Sequence, residues 1–295
     1  MTSTITATPL DPVRLDRALD RLVTSGTAVV EDVIPAAEAA VALARLWEAA
    51  AESERRGVST RAEALDPNPA HVRVWNLLDL DPVFVELIEH PAAVALASAL
   101  LGPDFIVSNF TANIARPGSG SMSVHSDQSL VMPAPWTEPC TMNVIWCLTD
   151  VRFENGATLH VPGSHRIATR DDVPADLAER MVPFEAPAGS IVAMDGRVWH
   201  TSGRNTTAGE DRALAFAFYC RPFVRPQFNH SVALSAAVQE HCSPTLRYRL
   251  GLDAWQNVTY GRAGPAAPFA EPVRTRADLV RWPPRSRACP ARWPS

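Results

Sequence analysis

The stretch "VHSDQS", residues 124–129, sets a histidine and an aspartate two positions apart among small polar residues. In an extended strand, residues i and i+2 point to the same face, so His125 and Asp127 would project side by side. An imidazole and a carboxylate so placed can take two adjacent positions on a divalent metal. A second histidine brought in from another strand would complete a two-histidine, one-carboxylate facial set, which leaves coordination positions open and is the arrangement of non-haem iron(II) oxygenases.

The chain has eight histidines, so the third ligand has to be chosen. His200 follows the strand-like "GSIVAMDG" and lies in "RVWHTSG" just before turn residues, and a strand end at a barrel mouth suits a ligand. In "NGATLHVPGSH", His160 lies inside a strand pattern and His165 follows a Pro-Gly turn. His71, His90, His230 and His241 occupy helical or irregular contexts with no partner at metal spacing. Arg212 adds a second constraint. In "RALAFAFYC" its parity is shared by Leu214, Phe216, Phe218 and Cys220, the bulkier face, whereas the alternate positions are mostly alanine. The guanidinium therefore points toward a core, where it needs an anionic partner, and its planar fork suits a carboxylate. Asp195 and Glu210 are internal candidates, and a ligand carboxylate is the other. An iron(II), one aspartate, a bound dicarboxylate and one arginine would together be neutral, the balance a buried site prefers. Against this stand blander readings of "HSD" as a polar turn, or of the set as a zinc site.

These residues need a scaffold. The chain has 295 residues, 46% of them hydrophobic, and a net charge of −5, which describes a soluble enzyme-sized protein. No repeat, linker or charge block marks a boundary, so a single domain over 1–295 is expected. Residues 12–24 carry apolar residues at helical spacing, "GTAVVEDVI" reads as a strand, and "PAAEAAVALARLWEAAAESERR" as a long helix opened by Pro35. "DPVFVELIEH" and "HPAAVALASALLG" read as two further helices, the second closed by Gly102. The region 12–102 is thus mainly helical. From residue 103 to 225 the texture changes to short β-rich runs: "DFIVSNFTANIA", "MSVHSD", "TMNVIWCLTDV", "ATLHVPG", "GSIVAMDG" and "RALAFAFYCR". Such spacing indicates a mainly β fold with flanking helices, its core a double-stranded β-helix or jelly roll. Residues 226–295 form an extension, with a helix expected in "SVALSAAVQEHC" and a mobile Pro/Arg-rich tail.

Taken together, "VHSDQS", "ENGATLHVPGSHR" and "VWHTSGRNTTAGEDRALAF", in this order behind "GTAVVEDVIPAAEAAVALARL", resemble the phytanoyl-CoA dioxygenase family of iron(II)- and 2-oxoglutarate-dependent oxygenases. The resemblance covers roughly residues 15–225. It implies that His125, Asp127 and His200 hold iron(II), and that Arg212 grips the far carboxylate of 2-oxoglutarate while dioxygen is the second cosubstrate. It further implies that Thr158 of "NGAT" and Asn143 of "TMNVIW" hydrogen-bond the cosubstrate. Related halogenases carry a small residue where this chain has Asp127, so the expected outcome is hydroxylation, with desaturation, cyclisation or endoperoxidation reachable from the same residues. Trp199 beside the distal histidine and the long C-terminus depart from the family pattern.

Arginine is the sole basic residue besides histidine, and no Arg-rich stripe interleaved with aromatics suggests nucleic-acid binding. The expected partner is a small, apolar metabolite such as a natural-product intermediate, covered by loops 57–76, 128–140, 168–188 and 226–262; Met132, Trp136, Phe184 and Trp199 could wall its pocket, with core packing the stronger reading for each except Trp199, which adjoins a ligand. The five cysteines show no CxxC spacing, no membrane span is visible, and the N-terminus does not read as a signal peptide, so a cytoplasmic protein is expected. The oligomeric state is open, a homodimer included. The competing function is a non-oxygenase jelly-roll protein, either a zinc enzyme or a silent binder of a small carboxylate.

Overall fold

The computed structural model describes residues 4–66 and 68–253. Helix α1 (Pro12–Ser25) starts where the Asp11 carboxylate accepts from the Arg14 N–H at 3.0 Å and Pro12 fills the first turn. It ends at Gly26, whose left-handed φ of 80° lets its N–H reach the Leu22 carbonyl. Then follow β1 (Thr27–Val30), α2 (Ala36–Arg55), β2 (His71–Val74), α3 (Pro82–Ile88) and α4 (Pro91–Leu101). The β-rich part supplies β3 (Ile106–Ala115), β4 (Thr141–Cys147), β5 (Leu159–His160), β6 (Val182–Pro183), β7 (Ile191–Asp195), β8 (His200–Thr201) and β9 (Arg212–Cys220). Three short helices close the described chain: α5 (His230–Ala233), α6 (Ala236–His241) and α7 (Pro244–Arg249).

Two antiparallel sheets face each other, one of six strands in the order β1-β7-β4-β9-β3-β2 and one of three in the order β6-β5-β8. This is the expected jelly-roll core with flanking helices. The edge strands of the large sheet, β1 and β2, come from the helical region 12–102, so that region and the jelly roll interlock and residue 102 marks no division.

Strand β9 shows how both faces of the large sheet are buried. Ala213, Ala215, Ala217 and Tyr219 join the core beneath the helices, where the three alanines leave room for the helices to lie close. Leu214 and Phe216 face the other way, into the space between the sheets, with Ile145, Val192 and Met194. The bulky face, which carries Arg212, therefore lines the jelly-roll interior.

Three local expectations need correction. "MSVHSD" contributes a single bridge at His125, and Asp127 already opens a 3₁₀ turn, Asp127–Leu130. "SVALSAAVQEHC" is two helices, because Leu234 turns extended to enter the core and Ser235 caps α6 by accepting from the Val238 N–H. His71 heads a strand, β2, which is too short for its alternation to stand out in the sequence. The mobile tail expected at the extreme C-terminus lies outside the described residues. Among the described residues no single helix is long and apolar enough to cross a membrane, and Cys140, Cys147, Cys220 and Cys242 are free thiols.

His90 caps α4. Its Nδ1 accepts from the Ala92 N–H at 3.2 Å while Nε2–H donates to the Thr6 carbonyl at 3.1 Å, and burial lowers its pKa. Burial lowers that of His230 as well. A histidine whose pKa falls on folding binds more protons when unfolded, so its stabilisation is complete above the unfolded value and is lost as pH drops toward the folded one. Thermal unfolding should therefore show a midpoint that declines below about pH 6.5. His90→Asn, which retains an acceptor but does not titrate, should flatten part of that decline, since a helix cap is worth about 1 kcal/mol. An unchanged slope in the variant would remove His90 from the account.

Candidate active site

The first two ligand candidates are joined by backbone. His125 and His200 form an antiparallel bridge, with His125 N–H to His200 O at 3.0 Å and the reverse bond at 2.8 Å, so their side chains emerge on one side with ring centroids 4.3 Å apart. Each ring is oriented through Nδ1, which donates to Ser123 O at 2.9 Å in His125 and to Val198 O at 3.0 Å in His200. That leaves both Nε2 atoms as acceptors toward a shared point. Ser126 is extended, which carries Asp127 back to the same point, and its Oδ1 lies 3.6 Å from His125 Nε2 and 4.0 Å from His200 Nε2. The candidate ligand atoms of His125, Asp127 and His200 all lie within 4.8 Å of one another, the single such group among the described residues.

Asn143 sits on β4 and donates from Nδ2 to Asp127 Oδ2 at 2.6 Å. The second carboxylate oxygen is thereby held, and Oδ1 is left to face the imidazoles. The resemblance implies that Asn143 hydrogen-bonds the cosubstrate; its Nδ2 is engaged by the aspartate, while its Oδ1 is buried without a partner among the described residues and lines the same cavity. Burial opposes the Asp127 charge, but His200, His125 and Asn143 outweigh it and hold the pKa below the usual carboxylate range. Burial likewise opposes a charged His125, yet Asp127 and the Ser123 carbonyl keep its pKa above the ordinary value, while at His200 burial prevails over Asp127 and lowers it. Replacing a residue that orients a metal ligand typically costs 10–100-fold in affinity or activity. Asn143→Leu should therefore weaken iron(II) binding by about 10-fold or more, checked by competition with a ferrous chelator.

Arg212 is 1% exposed at the start of β9. Its Nε donates to Gly156 O at 3.0 Å and Nη1 donates to Asn113 Oδ1 at 3.2 Å, but Nη2 is buried with no partner among the described residues. The internal alternatives are taken: Asp195 pairs with Arg197 at 2.7 Å, and Glu210 with Arg152. Burial, then the nearby Arg73, pushes the Arg212 pKa down to about 10, still charged at neutral pH. Gly156 can present its carbonyl there because φ is +93° and a Cβ would meet Gly203 O at 3.2 Å. Asn113 is itself fixed, since its Nδ2 donates to His71 Nδ1 at 3.2 Å and His71 Nε2 donates to Gly120 O at 2.8 Å. His71 thus acts on the site through the arginine.

One cavity of about 230 Å³ contains the three candidate ligands, Arg212, Asn143 and Thr158. Its apolar wall is Leu65, Trp75, Met122, Leu130, Phe216 and Phe218. None of the four wall candidates lines it: Phe184 packs between the sheets, as the packing reading has it, Trp136 is buried and donates to Val131 O, Met132 is 72% exposed, and Trp199 packs with Val161 and Leu177. Loops 57–76, 128–140 and 226–262 each reach the cavity, through Trp75, Leu130 and Gln227, but no residue of 168–188 lines it. Arg73, paired with Asp66 at 2.8 Å, and Asn109 also line it, and nothing in their sequence context singled them out. His160 and His165 stay outside the ligand group, held by Thr27 Oγ1 and Val23 O. A larger cleft of about 690 Å³ between α1, β1 and β6 contains none of the ligand group.

Known proteins match this chain over most of its length. Dioxygenase af480 of Aspergillus fumigatus is 50% identical over 240 residues, covering 81% of this chain and 78% of that protein. Among solved structures, the epimerase SnoN in complex with Fe3+, alpha ketoglutarate and nogalamycin RO superposes with a TM-score of 0.59 at 24% identity, covering 74% of this chain and 88% of SnoN. The carbocyclase SnoK from nogalamycin biosynthesis gives 0.60 at 23%, covering 78% and 93%. Those two share the fold. The phytanoyl-CoA dioxygenase (PhyH) model matches residues 22–213, a span that takes in all three clustered ligand candidates and the buried arginine, and the chain belongs to that family.

Proposed function

We propose that the protein is a cytoplasmic iron(II)- and 2-oxoglutarate-dependent dioxygenase that hydroxylates a small, largely apolar metabolite of natural-product type. The observation that carries this reading is the buried, unpartnered Nη2 of Arg212 in the same cavity as the His125, Asp127 and His200 group. A buried guanidinium with a free donor is costly unless an anion meets it, and no carboxylate of the described chain does. A dicarboxylate that also reaches the metal would supply that anion and leave the site near neutral.

On this reading His125, Asp127 and His200 hold the iron, Asn143 fixes the aspartate, and Arg212 receives the far carboxylate of 2-oxoglutarate with Thr158 beside it. When bound, iron and 2-oxoglutarate supply the activation of dioxygen that oxidises an inert C–H bond. The chain's own work is placement. Leu65, Trp75, Phe216 and Phe218 offer apolar contact for the substrate. The nogalamycin RO found in complex with SnoN and the name dioxygenase borne by af480 support a small-molecule oxidation of this kind.

Anaerobic addition of iron(II) and then 2-oxoglutarate should produce the visible charge-transfer band of the chelate. Stoichiometric metal binding without that band would favour a zinc enzyme or a silent carboxylate binder on the same scaffold.

A further inference from the structure

Strand β3 carries a bulge at Ser108, where the pairing with β9 slips between Val107 and Asn109. A bulge re-aims the side chains that follow it. Here it sets Asn109 opposite Phe218, Thr111 opposite Phe216 and Asn113 opposite Leu214, so the face of β3 toward the cavity is a polar stripe beside an apolar one. The bulge also recruits the chain that follows β9. Ser108 Oγ accepts from the Gln227 N–H at 3.0 Å, Ser108 O accepts from the Phe228 N–H at 3.1 Å, and His230 Nε2 donates to Val107 O at 3.1 Å. Gln227 is thereby delivered to the cavity, where its Oε1 accepts from Asn109 Nδ2.

This amide pair leaves one acceptor, Asn109 Oδ1, and one donor, Gln227 Nε2, without partners among the described residues. Asn109 is 7% exposed and lines the cavity beside Phe216 and Phe218, so its open acceptor is available to a molecule held there. The position is defined relative to the metal group. Asn143, which holds Asp127, and Asn109 both lie opposite Phe218, on the two strands flanking β9. Two strand spacings separate their backbones, roughly 10 Å, and with a side chain reaching in from each end the span left for a substrate is about that of a fused bicycle.

We propose, resting on the oxygenase reading above, that Asn109 and Gln227 form a substrate-recognition pair for a hydroxyl group, and that the substrate is an apolar scaffold of about bicyclic size carrying that hydroxyl at the end remote from the oxidised carbon. A hydroxyl satisfies both groups, donating to Asn109 Oδ1 and accepting from Gln227 Nε2. A ketone satisfies the donor alone, and a hydrocarbon neither. Phe218 forms the floor between the pair and the metal group.

The test titrates trans-2-decalol, trans-2-decalone and trans-decalin by calorimetry into full-length protein loaded anaerobically with iron(II) and 2-oxoglutarate. Wild type should bind the alcohol about tenfold more tightly than the hydrocarbon, with the ketone between them. Asn109→Leu should abolish the preference and leave trans-decalin affinity intact. Gln227→Leu, at an exposed position that does not endanger folding, should reduce it as well. The proposal is overturned if wild type binds the alcohol no better than the hydrocarbon, if it binds none of the three, or if the variants weaken all three alike, as a structural role would. Absence of the charge-transfer band would instead count against the cofactor reading, and the alcohol preference, measured on the same samples, stands or falls separately.

Discussion

With Asp127 replaced by alanine, the protein should bind iron(II) more than about 100-fold more weakly and lose turnover to background. Loss of a residue that orients a ligand already costs 10–100-fold, and here the ligand itself goes. Asp127 is the one carboxylate in the group, and Oδ1 is the atom that both Nε2 atoms approach, at 3.6 and 4.0 Å. Its removal leaves two imidazoles without the charge that offsets burial at His125 and at His200. Both rings then become easier to deprotonate, so the variant should fold and fail only at the metal. Equilibrium dialysis against iron(II), with the thermal midpoint as a control, separates the two. A folded Asp127→Ala protein that kept its iron would place the metal elsewhere.

The second large effect belongs to Arg212. Arg212→Leu should raise the 2-oxoglutarate concentration that half-saturates the charge-transfer band by roughly 100-fold or more, since losing one partner of a buried, hydrogen-bonded charge pair costs 2–5 kcal/mol. Iron affinity in the absence of 2-oxoglutarate should hardly change, because Arg212 bonds to Gly156 and Asn113 rather than to the ligands. Arg212→Lys should recover only a small part, for an ammonium lacks the planar fork that serves the Gly156 carbonyl and an incoming carboxylate together. Equal loss of iron and of 2-oxoglutarate affinity would show that the arginine supports the sheet and not the cosubstrate.

The spacing of His125 and Asp127, the strand-end placement of His200 and the parity of Arg212 along "RALAFAFYC" are all readable from sequence, because each depends on one strand's alternation or on an ordered set of motifs. The first was read by way of a strand that is not there. What brings the two side chains together is one bridge residue, one extended serine and a 3₁₀ turn. The wall of the cavity was not readable. Trp75, Arg73 and Asn109 reach it through a four-residue edge strand and a bulge, and a bulge shifts parity without leaving a mark in composition. His71 was set aside for want of a metal partner, and its actual partner, Asn113, lies on a neighbouring strand that only pairing register could identify. Trp199 adjoins a ligand in sequence and so reads as a pocket wall, yet it packs with Val161 and Leu177, because its neighbour in the chain says nothing of which face it takes.

The backbone bridge between His125 and His200 ties residues that are far apart in sequence, and on the His125 side it is an isolated pair with no strand to either side. Around it the loop is tied by Ser126 Oγ and the Gln128 N–H, which both donate to Gly196 O, at 3.0 and 2.7 Å, and by Thr201 Oγ1, which donates to Met122 O at 2.5 Å. A cation that binds only when both rings converge on it would add RT ln(1 + [L]/Kd) to that closure, about 4 kcal/mol at a thousandfold excess over Kd. Iron would then act as a latch on this seam as well as the centre of the chemistry.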